Sequence, residues 1–211
     1  EEIGAEVGLE GALALDIAVD PLECTTNCAD NLPNSIAVLA AAPRGALLHA
    51  PDCYMDKLAV GPLLSDHVDL DGGVAWNIEQ AAEALDVEAS EVRIVALDRP
   101  RHADLIREVK TTGASLELFS DGDVSAAIWA ARDDGPFDML MGVGAAPEGV
   151  ITATAILGLG GRFQGRLVLR NDAEAERAAT MVGDDLDRRW EADDLCTSKD
   201  AVFVASGVCD G

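Results

Sequence analysis

The chain has 211 residues, 49% of them hydrophobic, which is enough to form a substantial core in one domain or two. Its 39 acidic residues outnumber 15 lysines and arginines, and the resulting net charge of −24 repels DNA and RNA. No apolar run approaches the roughly 20 residues of a membrane-spanning helix, and the opening EEIGAEVG has no signal-peptide features. We therefore expect a cytoplasmic globular protein that binds neither nucleic acid nor membrane.

The acidity also favours a salt-adapted cytoplasm, since a dense acidic surface keeps a protein solvated in concentrated salt. The cysteines are irregularly spaced, which does not favour a disulfide framework. Cys24 and Cys28 have neither a second cysteine pair nor a histidine cluster to complete a zinc site, so we do not expect zinc.

The first part of the chain is dominated by predicted strands. These are an apolar run that ends at Val19, residues 34–42 and residues 46–50, the last two joined by a turn at 43–45. Residues 51–62 are interpreted as a link that brings Tyr54 and Lys57 nearby. Residues 66–73 are interpreted as a surface loop, and residues 76–85 as a helix.

From residue 92 onward, predicted strands alternate with predicted helices. The strands are 92–97, 115–119, 137–143, 162–170 and 201–205, and the helices are 102–113, 124–132, one that begins near Pro147, and a polar stretch from 172 to about 190. Such alternation favours parallel pairing, so that the loops after the strands meet at one edge of a sheet. We predict an α/β fold in which the strands of residues 92–158 are mainly parallel.

Residues 20–26, DPLECTT, place two carboxylates and two hydroxyls directly after the first predicted strand, where α/β proteins open into ligand crevices. Two carboxylates about 4 Å apart repel by roughly 4 kcal/mol at an effective dielectric constant near 20, so Asp20 and Glu23 favour a cation between them. Carboxylate oxygens suit Mg²⁺ or Mn²⁺, and Thr25 is placed to hold an attacking water or contact a phosphate. The alternative is an ordinary helix N-cap that needs no metal.

Three later loops carry charged residues at the same expected edge. Arg99 and Arg101 flank a proline, so that both guanidiniums can clamp a phosphate dianion; the alternative is a solvent-exposed pair. Asp121 and Asp123 suit either hydrogen bonds from sugar hydroxyls or capping of the next helix. Glu148 follows a proline at a predicted helix start, where the helix dipole also favours an acid.

Acids, arginines and hydroxyl acceptors at one edge predict metal-assisted hydrolysis of a sugar phosphate. Uncatalysed hydrolysis of phosphate monoesters needs up to about 10²¹-fold acceleration, so clustered metal ions are chemically reasonable. A dinucleotide-binding fingerprint is rejected. Gly142 and Gly144 follow a predicted strand, but position 147 is proline where the third glycine belongs.

An ordered series of motifs is similar to one known family. The motifs are IAVDPLE-x-TT, PNSIAVLA, LLHAPDCYMDKLAVGP, LDRPRH, SDGDV, PEGV, GGRFQGRLVLRND, DDLDR and SGVCDG. From about Ile3 to Gly211 the chain resembles class II (GlpX-type) fructose-1,6-bisphosphatase, within the lithium-sensitive sugar phosphatase superfamily. The number and order of the motifs make the resemblance specific.

The resemblance implies a layered α/β sugar-phosphatase fold and a metal-dependent phosphatase of gluconeogenesis and glycerol metabolism. The substrate would be fructose 1,6-bisphosphate, with sedoheptulose 1,7-bisphosphate as a further substrate and Mn²⁺ or Mg²⁺ as cofactor. It implies catalytic roles for Asp20, Glu23 and Thr25, metal ligation by Asp20, Glu23 and Glu148, and substrate contacts from Tyr54, Arg99, Arg101, Asp121 and Asp123. Further copies of the chain are expected as partners in a homo-oligomer.

The chain departs from the family pattern at two places: Cys24 stands where glycine is usual, and Ala145-Ala146 stands where Gly-Thr is usual. The family also has segments before residue 1 and after residue 211, so we expect an internal fragment of one sugar-phosphatase unit. Its expected halves are a metal-loop half at about 1–75 and an α/β substrate half at 76–211. Two alternatives stay open: an inositol-phosphatase-like hydrolase, or a catalytically inactive sugar-phosphate-binding fragment.

Overall fold

The computed structural model describes residue 11 and residues 13–209, so the two ends of the resembling stretch, Ile3 and Gly211, lie outside the described residues. The strands in this range are Leu15–Glu23 (β1), Ile36–Pro43 (β2), Tyr54–Val60 (β3), Arg93–Leu97 (β4), Ser115–Phe119 (β5), Met139–Ala145 (β6), Arg162–Val168 (β7), Arg189–Glu191 (β8) and Val202–Gly207 (β9). The α-helices are Thr25–Ala29 (α1), Gly73–Leu85 (α2), Ala103–Thr112 (α3), Asp123–Ala131 (α4), Ala146–Leu159 (α5), Asp172–Val182 (α6) and Ala192–Leu195 (α7).

The larger of two sheets has the strand order β5-β4-β6-β3-β7-β8 within the described chain. β4 is parallel to both β5 and β6, whereas β3 is antiparallel to β6 and β7, and β8 is antiparallel to β7. This pairing confirms the predicted α/β class and the parallel strands of residues 92–158. The loops after β4, β5 and β6 therefore lie at one edge of the sheet.

β3 lies at the centre of the larger sheet, between β6 and β7. Met55, Leu58 and Val60 are buried along it, and Lys57 is buried with them. The interpretation of residues 51–62 as a link is therefore wrong. A strand that is buried on both faces shows no alternation of polar and apolar residues, and an aspartate and a lysine interrupt the apolar run that would have identified it.

The smaller sheet is antiparallel, with the order β1-β2-β9 among the described strands. Its inner face packs on the helices of the next layer. Its outer face presents exposed apolar side chains from both edge strands: Leu15, Ile17, Val19, Val202 and Val204.

α4 and α5 form a helical layer between the two sheets. Val124 of α4 and Ile151 of α5 pack against Val38 and Ala40 of the smaller sheet, while Val150 belongs to the core under the larger sheet. A helix that is apolar on all sides, as α5 is, belongs in such a buried layer. α2 and α3 cover the other face of the larger sheet. This order of layers confirms the predicted layered fold, and no helix in the described residues is long and apolar enough to cross a membrane.

The predicted strand at residues 46–50 is wrong, since the described chain has only an isolated bridge there, between Leu47 and Cys196. The Asp16 carboxylate accepts hydrogen bonds from the backbone N–H groups of Gly45, at 2.6 Å, and Leu47, at 3.3 Å. A side chain thus satisfies donors that a strand would have used in a ladder.

The polar helix predicted to reach about residue 190 ends at Val182. Gly183 follows it with φ 91, a left-handed value that favours glycine and ends the helix. Residues 189–191 form β8 instead.

The division into halves near residue 75 stays a prediction. β3 precedes that point in the chain yet lies in the larger sheet, and β9 follows it yet pairs with β2.

Candidate metal and phosphate site

A β-bulge near the end of β1 brings two carboxylates to one face of the smaller sheet. Asp20 pairs with Val38 and Glu23 with Ile36, so β1 holds one more residue than β2 between these pairs. Side chains alternate in a regular strand, and residues three apart would otherwise point to opposite faces. The Asp20 carboxylate accepts a hydrogen bond from the Leu22 N–H at 3.0 Å inside the bulge. The loop expected after the first strand is thus a bulged continuation of it.

Glu148, in the first turn of α5, meets these carboxylates. Its Oε2 accepts a hydrogen bond from the Ala145 N–H at 3.3 Å. Glu23 reaches the start of α4, where its Oε1 accepts from the Val124 N–H at 3.1 Å. One oxygen each of Asp20, Glu23 and Glu148 can be chosen so that all lie within 4.8 Å of one another. The three acids predicted as metal ligands therefore come together from distant parts of the chain.

The negative charges of these clustered carboxylates are not balanced by enough positive charge nearby. Burial raises the pKa of Glu23 to about 9, and the negative charges of Asp123 and Glu148 contribute to the rise. Burial also raises the pKa of Glu148 to about 8, aided by the charge of Asp123 and opposed by the Lys57 ammonium. Carboxylates in this environment either hold protons or bind a cation.

Thr25 begins α1 beside Glu23, and its side chain is exposed. Cys24, just before it, is buried and adopts φ 66 and ψ 51, a left-handed conformation that an L-residue rarely takes. Ser35 Oγ donates a hydrogen bond to the Cys24 carbonyl at 3.0 Å. Burial raises the pKa of the Cys24 thiol to about 12, so it stays protonated. A β-carbon added at Gly122 would lie only 2.3 Å from the Cys24 Sγ, so the two residues pack directly against each other.

Asp123, the first residue of α4, lies next to the acidic trio. Its Oδ2 accepts a hydrogen bond from Lys57 Nζ at 2.6 Å, and the two side chains are 7% and 1% exposed. Lys57 Nζ also lies 4.0 Å from Glu148 Oε2. The negative charge of Asp123 also acts on Glu148 and helps to raise its pKa. We call Asp20, Glu23, Asp123 and Glu148 the acidic cluster.

The loops after β4 and β5 also meet. An Arg99 guanidinium nitrogen lies 3.6 Å from Asp121 Oδ1, which also accepts a hydrogen bond from the Gly122 N–H at 3.2 Å. Both side chains keep part of their surface in solvent. Arg99 and Asp121 are thus placed beside the acidic cluster, and their predicted substrate contacts stay predictions.

Two arginines surround Tyr54, the first residue of β3. The guanidinium carbons of Arg101 and Arg170 lie 4.8 Å and 4.9 Å from the centre of its ring. Arg101 Nε donates to the Val143 carbonyl at 2.8 Å, and Arg170 Nε donates to Glu174 at 2.8 Å. We call Tyr54, Arg99, Arg101 and Arg170 the arginine face.

His102 fixes the loop that carries Arg99 and Arg101. Its ring is buried, and Nε2 lies 2.7 Å from the Val143 nitrogen, whose N–H must donate. Nδ1 therefore carries the proton and donates to the Leu97 carbonyl at 2.7 Å. The histidine thus ties the end of β4 to β6 and supports the loop that carries the two arginines.

Sequence reasoning named Lys57 only as a neighbour and did not single out Arg170. The available signal for Lys57 was a lysine inside an apolar run, in a chain with only two other lysines, Lys110 and Lys199. Nothing local marks Arg170, because its approach to Tyr54 depends on the pairing of β3 with β7.

The chemistry of the acidic cluster fits a divalent cation. Three oxygen ligands converge, two of them on carboxyls whose pKa is raised mainly by burial and further by neighbouring negative charges. Hard oxygen ligands of this kind select Mg²⁺ and Mn²⁺ over softer metals. Asp20, Glu23 and Glu148 are the residues that would hold it.

Comparisons with known proteins agree with this chemistry. The model of the family described as bacterial fructose-1,6-bisphosphatase, glpX-encoded, matches residues 2–211. Two relatives, both named D-fructose 1,6-bisphosphatase class 2/sedoheptulose 1,7-bisphosphatase, come from Synechococcus. That of strain JA-3-3Ab is 41% identical over 235 residues and covers 99% of this chain and 67% of its own length. That of strain RCC307 is 43% identical over 222 residues, with coverages of 99% and 66%.

A relative of the same name from Prochlorococcus marinus (strain MIT 9313) is 43% identical over 222 residues, covering 99% of this chain and 66% of its own length. The chain thus spans about two thirds of the length of these relatives. The resemblance stated from the motifs is confirmed, and the chain belongs to the bacterial, glpX-encoded fructose-1,6-bisphosphatase family.

Proposed function

We propose that this chain carries the active site of a metal-dependent phosphatase that hydrolyses fructose 1,6-bisphosphate to fructose 6-phosphate and phosphate in gluconeogenesis. Sedoheptulose 1,7-bisphosphate is proposed as a second substrate, since relatives carry both names. One observation supports the proposal above all. Carboxylates from the β1 bulge and from the start of α5 converge within 4.8 Å.

In this proposal Asp20, Glu23 and Glu148 hold Mn²⁺ or Mg²⁺, which when bound neutralises charge on the phosphate and favours ionisation of the attacking water. The Thr25 hydroxyl, exposed beside Glu23, orients that water by accepting or donating a hydrogen bond. The N–H groups at the start of α1 add positive potential on the side where the phosphate would lie.

The substrate contacts complete the proposal. Arg101 and Tyr54 bind the phosphate that is not cleaved, because a guanidinium fork matches phosphate oxygens and the tyrosine adds a hydroxyl donor. Arg99, 3.6 Å from Asp121, is proposed as a further substrate contact, and Asp121 and Asp123 are proposed to accept hydrogen bonds from sugar hydroxyls.

The decisive experiment measures phosphate release from fructose 1,6-bisphosphate with Mn²⁺, Mg²⁺ or a chelator. It is run on this chain and on a chimera in which the chain replaces the matching stretch of the Synechococcus RCC307 relative. We expect turnover that needs a divalent ion, and a Glu148→Gln variant that folds normally but loses at least about a hundredfold in turnover, since it removes a charged ligand. Glu176→Gln, on the exposed side of α6, is the matched control.

Each failure has a separate meaning. Fructose 1,6-bisphosphate binding without turnover in the chimera would support an inactive sugar-phosphate-binding domain. Faster release from inositol monophosphate would support an inositol-phosphatase-like hydrolase. Full activity of Glu148→Gln would remove Glu148 from the metal centre.

The choice of ion, the cytoplasmic location and the homo-oligomer belong to the same proposal. An all-oxygen ligand set supports Mn²⁺ or Mg²⁺ and does not choose between them. Mn²⁺ and Mg²⁺ titrations of turnover test the first point, and light scattering of the purified chain tests the last.

A further inference from the structure

Lys57 is a buried cation that has no role in the reaction proposed above. It lies on the central strand β3, with a side chain 1% exposed, and its Nζ contacts Asp123 Oδ2 at 2.6 Å and Glu148 Oε2 at 4.0 Å. Lysine is almost never fully buried unless it is paired, so this position demands the acidic partner. The ammonium lies where the acidic cluster meets the larger sheet.

The Lys57–Asp123 ion pair depends on a neighbouring glycine for its space. A β-carbon at Gly144 would lie 1.9 Å from Asp123 Oδ2 and 2.9 Å from Lys57 Nζ, and one at Gly149 would lie 3.6 Å from Lys57 Cε. The ion pair therefore fits against β6 because residue 144 has no β-carbon.

The pair divides the acidic cluster into unequal parts. Three of its members, Asp20, Glu23 and Glu148, offer oxygens within 4.8 Å of one another, and in the described chain Asp123 lies beside that trio rather than within it. Yet the negative charge of Asp123 is close enough to Glu148 to help raise its pKa. A divalent ion attracts every nearby carboxylate. The short contact with Lys57 keeps the Asp123 carboxylate away from such an ion.

We propose that Lys57 is a positioning residue that reserves Asp123 for the substrate by keeping its carboxylate out of the metal coordination sphere. This inference rests on the proposed metal centre. It predicts two opposite effects: loss of Lys57 should strengthen metal binding and weaken substrate binding. A lysine with a purely structural role would, when lost, weaken both.

The test measures Mn²⁺ binding by isothermal titration calorimetry at fixed ionic strength, without substrate. Binding to the many surface acids is subtracted with the Glu148→Gln variant. Lys57→Met should bind Mn²⁺ about tenfold more tightly, because a nearby cation is gone and a fourth carboxylate is released. Asp123→Asn should bind about tenfold more weakly, because the ammonium then turns to Glu148.

The double variant Lys57→Met/Asp123→Asn has no charge pair and no released carboxylate, so its Mn²⁺ affinity should return close to that of the wild type. It also guards against misfolding, since replacing both members of a buried ion pair is tolerated better than removing one. Lys110→Met, the same change on the exposed face of α3, is the matched control.

Fructose 1,6-bisphosphate affinity gives an independent reading, and it should fall in each of the three variants at this pair. Mn²⁺ binding that is weaker or unchanged in folded Lys57→Met, or equally tight in Lys57→Met and the double variant, would overturn the inference. No specific Mn²⁺ binding by the wild type would instead overturn the proposed metal centre, and the inference with it.

Discussion

The acidic cluster and the arginine face lie side by side but handle charge in opposite ways. In the cluster, Glu23 and Asp123 are buried, and like charges crowd together around a single buried ammonium. On the arginine face, Arg101 and Arg170 are exposed to solvent, and each also has a fixed partner, a carbonyl or a carboxylate. Buried charge is strongly coupled to its neighbours, whereas exposed charge is screened by water and salt.

This difference predicts that the two regions have different roles in the proposed site. Changes in the acidic cluster should affect stability and metal binding severely. Changes on the arginine face should affect mainly substrate affinity and its dependence on salt.

The largest effect should follow from Gly144→Ala, whose β-carbon would displace the Lys57–Asp123 ion pair. We expect a loss of about 3–5 kcal/mol in the free energy of unfolding, as for a broken buried pair, measured by urea denaturation. Gly158→Ala in α5 is the control, since a β-carbon there meets nothing within 4 Å and should stabilise the helix slightly. Equal stability of the two variants would show that the ion pair has room to move.

The next effect concerns stability against pH in a chelator. The pKa of Glu23 rises from 4.5 to about 9 and that of Glu148 from 4.5 to about 8, mainly through burial. Between these values the folded state holds protons that the unfolded state has lost. The stability that these two carboxyls contribute is therefore fully present below pH 4.5 and is lost as the pH rises through about 8 to 9.

We expect the free energy of unfolding to fall by up to about 1 kcal/mol per pH unit for each of the two carboxyls, and Mn²⁺ to remove most of the fall. Thermal unfolding from pH 5 to pH 9, with and without Mn²⁺, measures both. The Glu23→Gln/Glu148→Gln double variant should show a flatter profile. A wild-type stability that rises across this range would contradict the charge crowding described for the cluster.

On the arginine face, Arg170→Gln should raise the dissociation constant of fructose 1,6-bisphosphate about tenfold and leave Mn²⁺ affinity unchanged. Glutamine can still donate to Oε1 of the buried Glu174, and the Arg170 backbone N–H donates to Oε2 in either case. Calorimetry at two salt concentrations should show that the wild type loses more affinity with added salt than the variant. Arg107→Gln on α3, paired with Asp104 alone among the described ion pairs, is the control; equal effects would exclude Arg170 from substrate binding.

The smallest effect is expected at Cys24, the residue that follows Glu23 of the acidic cluster. Its left-handed backbone costs roughly 1–2 kcal/mol, which Cys24→Gly relieves while losing the buried thiol. We expect a net change within about 1 kcal/mol. Cys24→Ala keeps the strain and also loses the thiol, so it should be the less stable of the two. The opposite order in urea denaturation would show that the backbone at this position is not strained.

The local sequence pattern predicted helices and strands correctly where an element buries one face or where its apolar residues recur with a clear period. The helices α3, α4 and α5 and the strands β4, β5 and β6 were predicted close to their observed bounds. The pattern failed for β3, because a lysine and an aspartate lie in a strand buried on both faces. It also failed at residues 46–50, where the Asp16 side chain replaces strand hydrogen bonds.

By itself, the sequence determined the fold class, the family and the types of residue available for chemistry, since composition, periodicity and ordered motifs are written along the chain. Only the tertiary structure decided which of those residues meet. One inserted residue in β1 turns Asp20 and Glu23 to the same face, and the placement of β3 beside β6 sets Lys57 against Asp123. Such contacts depend on register and packing between distant segments, which no local pattern encodes.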